Sequence, residues 1–484
     1  MKDEMTPLPD RLHELARQRP DATVVTLVNR KGGDFSWRWR DLMENADSAA
    51  RDLRESGVIP GDIVAIALPA SLRHVAATIG AWQAGAVVLP LPPAAPQLEI
   101  QRILDIAAAD FLVDREQGVK DARRLRPSGT RNHPLTGAAG AEPRSVSLTG
   151  GSTGEPKVVV GKRPWVYDEA FVAAHRGIME PGDVQLIVTA LHHWGFHSLY
   201  GGLMLGQHIV LLEHFVPRLV LSSIQKYAVN QMCVIPTQMK WLLDSELINS
   251  ADLSSLRTVH HSGGPCPEQV KRKWIKLLGP ERILESYTSH ENLYSTYIRG
   301  QEWLAHPGSV GRPGARNVRI VLDSGAQAAP GEIGEVFLRP HDGPPQYIGP
   351  ASDLPAHDGK YLSLGDLGYL DEDGYLYLVD RANEMFISGA ENIYPRQIEM
   401  VLLDHPAVRD AMVVGAPHDD LGLVAKAYVV PAGRVTHQEI IDHCRPRLSG
   451  PRLPRYVEFV SELPRAPSGK MQRYAAARRT DGVP

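Results

Sequence analysis

Long apolar runs are missing from this 484-residue chain. The longest, Ile63 to Ala70 and Ala84 to Pro93, are interrupted and too short to cross a bilayer, so no membrane insertion is expected. The opening stretch is charged and broken by Pro7, Pro9 and Pro20, which leaves no apolar core for an export signal. The three cysteines, Cys233, Cys266 and Cys444, are far apart and odd in number. They have neither the spacing of a disulfide framework nor that of a zinc knuckle, so a reducing cytoplasm is the expected location. Charge of one sign is also in short supply: 52 basic side chains face 56 acidic ones, for a net charge of -4. That balance supplies no broad basic surface for nucleic acid, and any anionic ligand must be held locally.

What is present is the composition of a folded globular protein, with many tight turns from 43 glycines and 38 prolines. The length exceeds what one hydrophobic core usually organises, so several subdomains are expected. Apolar residues recur at helical spacing from Trp39 to Ser56, and Pro60-Gly61-Asp62 then turns into the buried-strand run Ile63 to Leu68. The pattern repeats with a helix over Ser71 to Ala84 and a strand over Ala86 to Leu91. Further runs, Gln185 to Ala190, His208 to Leu212, Gln231 to Ile235 and Thr258 to His261, alternate with the amphipathic segments Leu219 to Tyr227 and Pro267 to Leu278. This is an α/β pattern: a large N-terminal domain of parallel sheets covered by helices. Beyond Gly308 short segments split by Gly and Pro (Val318 to Leu322, Gly334 to Leu338, Tyr375 to Val379) predict an antiparallel β subdomain.

After Asp380-Arg381 a compact tail predicts a small α+β domain, giving a division into residues 1-381 and 382-484. Its helices are expected over Pro395 to Leu403 and Thr436 to Arg445, and its strands over Val408 to Val414, Ala425 to Val430 and Tyr456 to Val460. Residues Ser128 to Arg144, rich in Gly, Pro and Ala, read as a surface loop.

The first chemical signal is Ser147-Leu148-Thr149-Gly150-Gly151-Ser152-Thr153-Gly154-Glu155-Pro156-Lys157. Glycines let backbone N-H groups point inward around an anion, hydroxyls add neutral donors, and Lys157 adds positive charge. No Ser or Thr follows the lysine directly, so the spacing is not that of a P-loop. On glycines alone, a plain flexible loop reads as well.

This segment resembles the T-[SG]-G-[ST]-T-G-x-P-K signature of the acyl-adenylate-forming superfamily, which includes acyl-CoA synthetases, peptide-synthetase adenylation domains and luciferases. Further segments resemble its motifs in the same order. Ser262-Gly263-Gly264-Pro265-Cys266-Pro267 looks like the adenine-packing segment, and Tyr287-Thr288-Ser289-His290-Glu291 stands at the Y-G-x-T-E motif. Gly308 to Pro313 and Gly331 to Glu335 resemble structural motifs. Gly365-Asp366-Leu367-Gly368-Tyr369 resembles the ribose-binding motif, and Asp380-Arg381 leads to a hinge at Asn383. Gly389 to Pro395 opens the small domain and Pro464 to Lys470 closes it.

The resemblance implies ATP-dependent activation of a small carboxylic acid to acyl-AMP, with transfer to coenzyme A by rotation of a mobile small domain. It implies that Lys470 reaches the substrate carboxylate and the α-phosphate, Glu291 holds Mg²⁺, Asp366 takes the ribose hydroxyls and Arg381 contacts ribose or phosphate. The loop from Thr149 to Lys157 would cradle pyrophosphate, and Ser262, Gly263, Gly264 and Tyr287 would line the nucleotide. The chemistry is coherent, because a carboxylate is a weak nucleophile and catalysis rests on positioning and on neutralising charge as pyrophosphate departs.

Bland readings stand beside these roles. Lys470 on a Pro/Ser/Gly turn also reads as a solvated lysine, Asp366 as a turn stabiliser and Glu291 as a helix decoration. His192, His193 and His197 have no carboxylate at metal-ligand spacing, and Trp194, Gly195 and Phe196 intervene. By the resemblance, Trp194, Phe196 and His197 lie beside the acyl pocket, although packing alone explains them as well. Val234, Met239 and His261 are further wall candidates, and the mixed aromatic, aliphatic and imidazole set suits an aromatic or cyclic acid.

The sequence departs from the family pattern in several places. His290 replaces the usual threonine, Thr288 the usual glycine, and Ala390 the second glycine of a pair beside the expected pantetheine path. An imidazole at 290 can donate to a phosphate oxygen, contact the acyl group or narrow the pocket. Besides coenzyme A as acceptor, a carrier-protein thiol, another oxyacid such as nitrite in diazo-forming relatives, and a nucleotide-binding pseudoenzyme therefore stay open.

Overall fold

The computed structural model describes residues 5–114, 118–122, 144–150, 156–161, 163–349, 353–389, 391–448, 450–465, 471 and 473. It divides into two compact units. One comprises Met1–Gly264, Trp274–Leu293 and His341–Asp353, and the other Pro265–Lys273, Tyr294–Pro340 and Leu354–Pro484. The Ser128 to Arg144 loop expectation lies outside the described residues except for Arg144, which begins a strand.

Two sheets organise the first unit. One runs Ile283–Tyr287, Thr258–His261, Gln231–Val234, Val184–Ile187, His208–Leu212, Thr23–Val28, Asp34–Arg38. All of these neighbours are parallel except the last pair, which is a hairpin. The other is seven-stranded, in the order Tyr347–Ile348, Pro156–Val160, Arg144–Gly150, Val87–Pro90, Ile63–Ile66, Phe111–Asp114, Gly118–Asp121. Its centre is parallel and its margins antiparallel. Ile63–Ile66 and Val87–Pro90 are buried at every residue, as expected of parallel strands covered on both faces.

Local sequence explains the flanking helices. Trp39–Glu55 buries Trp39, Leu42, Met43, Ala46, Ala50 and Leu53, a stripe at three- and four-residue spacing. The helix Leu72–Gln83 starts where the Ser71 hydroxyl accepts from the His74 backbone N-H at 3.1 Å. The two helices approach closely at Gly80, where a Cβ would sit 2.8 Å from the Ala46 carbonyl oxygen.

The second unit carries two further sheets. Val318–Val321, Gly334–Leu338, Tyr361–Leu370 and Ala356–His357 form an antiparallel sheet joined by Leu376–Arg381 beside Tyr361–Leu370. In the tail, Glu391–Ile393, Phe386–Ser388, Gly422–Pro431 and Val408–His418 form the other, with Tyr456–Phe459 parallel to Gly422–Pro431. Helices Pro395–Leu403 and His437–Cys444 cover it, burying Ile398, Leu402, Ile440 and Cys444 in one cluster with Val413 and Val429. The hairpin strands outlast their apolar pattern, because ladder pairing continues through Gly415, Ala416 and Pro417 to His418. The α/β class with a smaller α+β tail is thus the observed architecture. No described helix is long and apolar enough to cross a membrane.

Candidate active site

Open parallel sheets bind ligands beyond the carboxyl ends of their strands, where side chains from successive loops converge. In the central sheet of the first unit, four adjacent strands end at Ile187, Val234, His261 and Tyr287. The segments that follow them carry His192 to His197, Ser262 to Gly264, and His290 with Glu291. Three of the sequence motifs are therefore gathered along one sheet end.

Buried hydrogen bonds hold these loops. The Gln238 amide donates to the Val188 carbonyl at 3.0 Å and accepts from the Ile235 N-H at 3.1 Å, coupling two strand ends. Ser262 donates to the Ser286 carbonyl at 2.8 Å, and the His260 Nε2 to Ser286 Oγ distance is 2.9 Å. Gly263 has a φ of +84°, a conformation a side chain would strain, while Gly263 and Gly264 are both exposed. At the next loop Asn292 takes a φ of +56°, which asparagine tolerates, and its amide donates to Asp342 at 2.8 Å. Arg163 also donates to Asp342 at 2.8 Å and holds that carboxyl below its ordinary range. The turn behind Glu291 is thereby fixed.

Glu291 itself is half-buried and acts on Tyr347, whose phenol is raised by burial first and by the Glu291 charge second. Lys157 Nζ lies 5.6 Å from the Tyr347 ring centre. Antiparallel pairing explains the grouping. Thr149 pairs with Lys157 and Gly150 with Pro156, while Tyr347 pairs with Val159 on the same strand. The arms of the glycine-rich loop and the tyrosine are thus brought together, whereas Gly151, Ser152, Thr153 and Gly154 lie outside the described residues. Tyr347 carried no sequence signal, because its place depends on a two-residue edge strand.

The aromatic segment divides sharply. Phe196 is 1% exposed and packs against Trp82, Trp165 and Tyr200, so its side chain belongs to the core. Gly195 permits the tight loop before it, since a Cβ there would meet the Thr189 carbonyl oxygen and lie 2.7 Å from that of Ala190. Trp194 turns the other way, edge-on to His260 at 5.0 Å. His197 keeps an exposed surface while other side chains crowd its ring. Its ring faces His290 at 5.9 Å, and His193 faces His290 at 6.0 Å. Burial lowers all three: His193 to about 3, His197 to about 4, and His290 in the same direction. They are neutral at ordinary pH.

In the second unit Asp366 and Arg381 face each other across an antiparallel pair, with Arg381 Nε 3.3 Å from the Asp366 carboxylate. The next residue back, Asp380, is 2% exposed and accepts from the N-H groups of Arg381 at 2.8 Å and Arg396 at 2.9 Å. Burial nevertheless pushes its carboxyl up to about 6. Asn383 occupies an exposed turn in which the Glu384 and Met385 N-H groups bond the Arg381 carbonyl. Arg473, unmarked by the motif reading, donates to Glu384 at 2.9 Å and to Glu399 at 2.9 Å. Glu399 also accepts from the Val413 N-H at 2.7 Å. Lys470 and Ala390 lie outside the described residues.

Among the described residues no three or more His, Cys, Asp or Glu are grouped to hold an ion. A single half-buried carboxylate such as Glu291 suits a hard cation that keeps its other positions for phosphate oxygens and water, which is how magnesium is usually bound.

Comparison with known proteins adds an independent line. The family model described as AMP-binding enzyme matches residues 12–343, and that of the AMP-binding enzyme C-terminal domain matches residues 397–470. A feruloyl-CoA synthase from an Amycolatopsis species is 30% identical, over 96% of this chain and 97% of its own. A 2-succinylbenzoate–CoA ligase of Bacillus licheniformis is 28% identical, over 96% and 98%. The o-succinylbenzoate CoA synthetase of Bacillus subtilis, solved with its acyl-adenylate intermediate, superposes with a TM-score of 0.78 at 25% identity, covering 98% of each chain. The same enzyme solved with ATP and magnesium ion gives 0.77 at 25% identity, over 99% of this chain and 100% of that one.

Proposed function

The chain belongs to the AMP-binding enzyme family and is an AMP-forming acid–CoA ligase, and we propose that its acid is small and aromatic or cyclic. The observation that carries the substrate reading is the wall of Trp194, His193, His197 and His290 at the end of a rigid parallel sheet. Flat rings at such a wall favour a flat or cyclic partner over a long flexible chain.

In the proposed reaction an acid carboxylate oxygen bonds to the α-phosphorus of ATP and the bond to pyrophosphate breaks. The coenzyme A thiolate then adds to the acyl carbon and AMP leaves. Magnesium, when bound, would spread the charge of the phosphates, with Glu291 as its protein ligand. This chain's residues supply the rest: Lys157 and the N-H groups around Thr149 and Gly150 neutralise departing pyrophosphate, and Asp366 accepts from the ribose hydroxyls. Arg381 pairs with Asp366 and adds positive charge at the ribose or phosphate. Lys470 stabilises the charge that builds between carboxylate and α-phosphate, and Asn383 is the turn about which the tail rotates between the half-reactions.

The test is acid-dependent ATP–pyrophosphate exchange, followed by coenzyme A thiol consumption, with benzoic, cinnamic, alicyclic and fatty acids. Exchange and thiol loss with ring acids are expected. Exchange without thiol loss would move the acceptor to a carrier-protein thiol or another nucleophile, and preference for fatty acids would overturn the ring assignment.

A further inference from the structure

Asp342 joins parts of the chain that the proposed reaction needs in register. Its Oδ2 accepts from Arg163 Nε at 2.8 Å and from the Asn292 amide at 2.8 Å, while its Oδ1 accepts from a second guanidinium nitrogen of Arg163 at 3.3 Å. Arg163 follows the strand Pro156–Val160, which carries Lys157, and Asn292 follows Glu291 directly. One carboxylate thus touches the segment behind the phosphate-loop lysine and the turn behind the metal-binding glutamate.

The backbone repeats the connection. The His341 N-H bonds the Asn292 carbonyl at 3.2 Å, and the Asn292 N-H bonds the Ser289 carbonyl at 3.2 Å across the turn where Asn292 takes its positive φ. Further along, the Val160 N-H bonds the Gln346 carbonyl at 2.9 Å, Tyr347 pairs with Val159 and Ile348 with Val158. Residues 341–348 are therefore a strap fastened at one end to the Glu291 turn and at the other to the strand of Lys157. The first unit loses the chain after Leu293 and regains it at His341, so the strap also pins exit to re-entry. Stability alone is a weak reason for the ion pair, because the Arg163 side chain is 69% exposed and an exposed pair adds at most about 1 kcal/mol. Its forked geometry fixes direction instead.

We propose that Asp342 is a positioning residue for the metal-bound triphosphate: through Asn292 and the strap it fixes Glu291 relative to Lys157. The assignment rests on the acid-activating function and the Glu291 role proposed above. Magnesium held by one carboxylate takes its other ligands from phosphate oxygens, and a lysine serving the same phosphates must stand at a set distance from it. A small displacement of either charge loses much of their joint effect. Asp342 acts through Asn292 and does not itself hold the metal.

Calorimetry with α,β-methylene-ATP, an analogue that binds without releasing pyrophosphate, gives two affinities for each protein, one with magnesium and one with EDTA. Their ratio is the metal-dependent part of binding, and the unmodified protein should bind more tightly with magnesium. Asp342→Ala should lower the ratio about tenfold, the worth of a hydrogen bond to a charged group, with the EDTA affinity within about twofold of the unmodified value. Asn292→Gly keeps the positive φ but lacks the amide, so it should lower the ratio as well, and it keeps the test open should Asp342→Ala fail to fold. Asp342→Asn retains one carbonyl oxygen for the Asn292 amide and should lose less. A ratio unchanged in Asp342→Ala or in Asn292→Gly, or equal losses with and without magnesium, would overturn the positioning assignment alone. An unmodified protein that binds the analogue no better with magnesium, or not at all, would overturn the acid-activating reading, and the assignment with it.

Discussion

The sheet-end wall of the first unit and the strand turn of the second handle buried polar groups in opposite ways. The wall keeps its titratable groups uncharged: His74, His193 and His197 are all pushed far below the ordinary imidazole range by burial. The turn pairs most of its carboxyl groups with guanidinium groups, Arg381 with Asp366 and Arg473 with Glu384 and Glu399. Neutral rings give a surface whose recognition depends on shape and hydrogen-bond geometry, whereas paired charges fix a backbone segment that must hold its register. Asp380 is the exception in the turn, a carboxyl raised to about 6 because burial outweighs its two N-H donors.

The contrast can be broken most forcefully at Arg473. Arg473→Ala strands the carboxylates of Glu384 and Glu399, the second of which is 5% exposed. Removing one partner of a buried pair costs about 3–5 kcal/mol. Hydrogen exchange should show the loss at Val413, whose N-H bonds Glu399, with the Ile63–Ile66 strand unaffected; an unchanged Val413 would remove Arg473 from the account.

Acidity should separate the two regions by sign. Folded His74 and His193 take up protons only near 4 and 3, whereas the unfolded chain does so near 6.5, so the unfolded state binds more protons in between. The first unit should therefore be insensitive above about pH 6.5 and lose about 1.4 kcal/mol per pH unit for each buried histidine below it. Asp380 works the other way: its folded value of about 6 exceeds the ordinary 3.8, so its penalty is complete above pH 6 and relieved as pH falls to 3.8. Local opening free energies, corrected for intrinsic exchange, should show this relief in the second unit, and Asp380→Asn should abolish it. Equal slopes in both units would refute the comparison.

Asp366→Asn removes the carboxylate facing Arg381 and weakens the acceptor proposed for ribose. A hydrogen bond to a charged group is worth about 1.5–3 kcal/mol, so KM for ATP should rise about tenfold to a hundredfold. KM for the acid should move little; a change confined to the acid would place Asp366 elsewhere.

Two glycines give the mildest contrast. Gly195→Ala forces a Cβ against the Thr189 and Ala190 carbonyls and should cost about 1–3 kcal/mol in thermal stability. Gly264→Ala meets nothing within 4 Å and should stay within about 0.5 kcal/mol. If both variants melt alike, the tight loop before the helix Trp194–Met204 is not what shapes the wall.

Much of this fold is legible in the sequence. Strands such as His208–Leu212 and Thr258–His261 and the helix Pro395–Leu403 fall where apolar spacing puts them, because each buries a face that its own sequence declares. Ser262, His290 and Glu291 stand in motif order in the sequence, and the parallel topology brings the segments that carry them to one sheet end. What escaped depends on partners distant in the chain. Phe196 and His197 are neighbours about 100° apart on one helix, and sequence does not say which of them faces the core. Tyr347 and Arg473 owe their roles to an edge strand and to two carboxylates far from them in sequence.

The most direct test of the central claim follows AMP, pyrophosphate and acyl-CoA together for the unmodified protein and Lys470→Ala, with ATP, magnesium, coenzyme A and ring acids. All three products are expected in equal amounts from the unmodified protein, with AMP formation lowered about 10²–10³-fold in the variant. AMP formation at the unmodified rate in Lys470→Ala, or none from the unmodified protein with any acid, would contradict it.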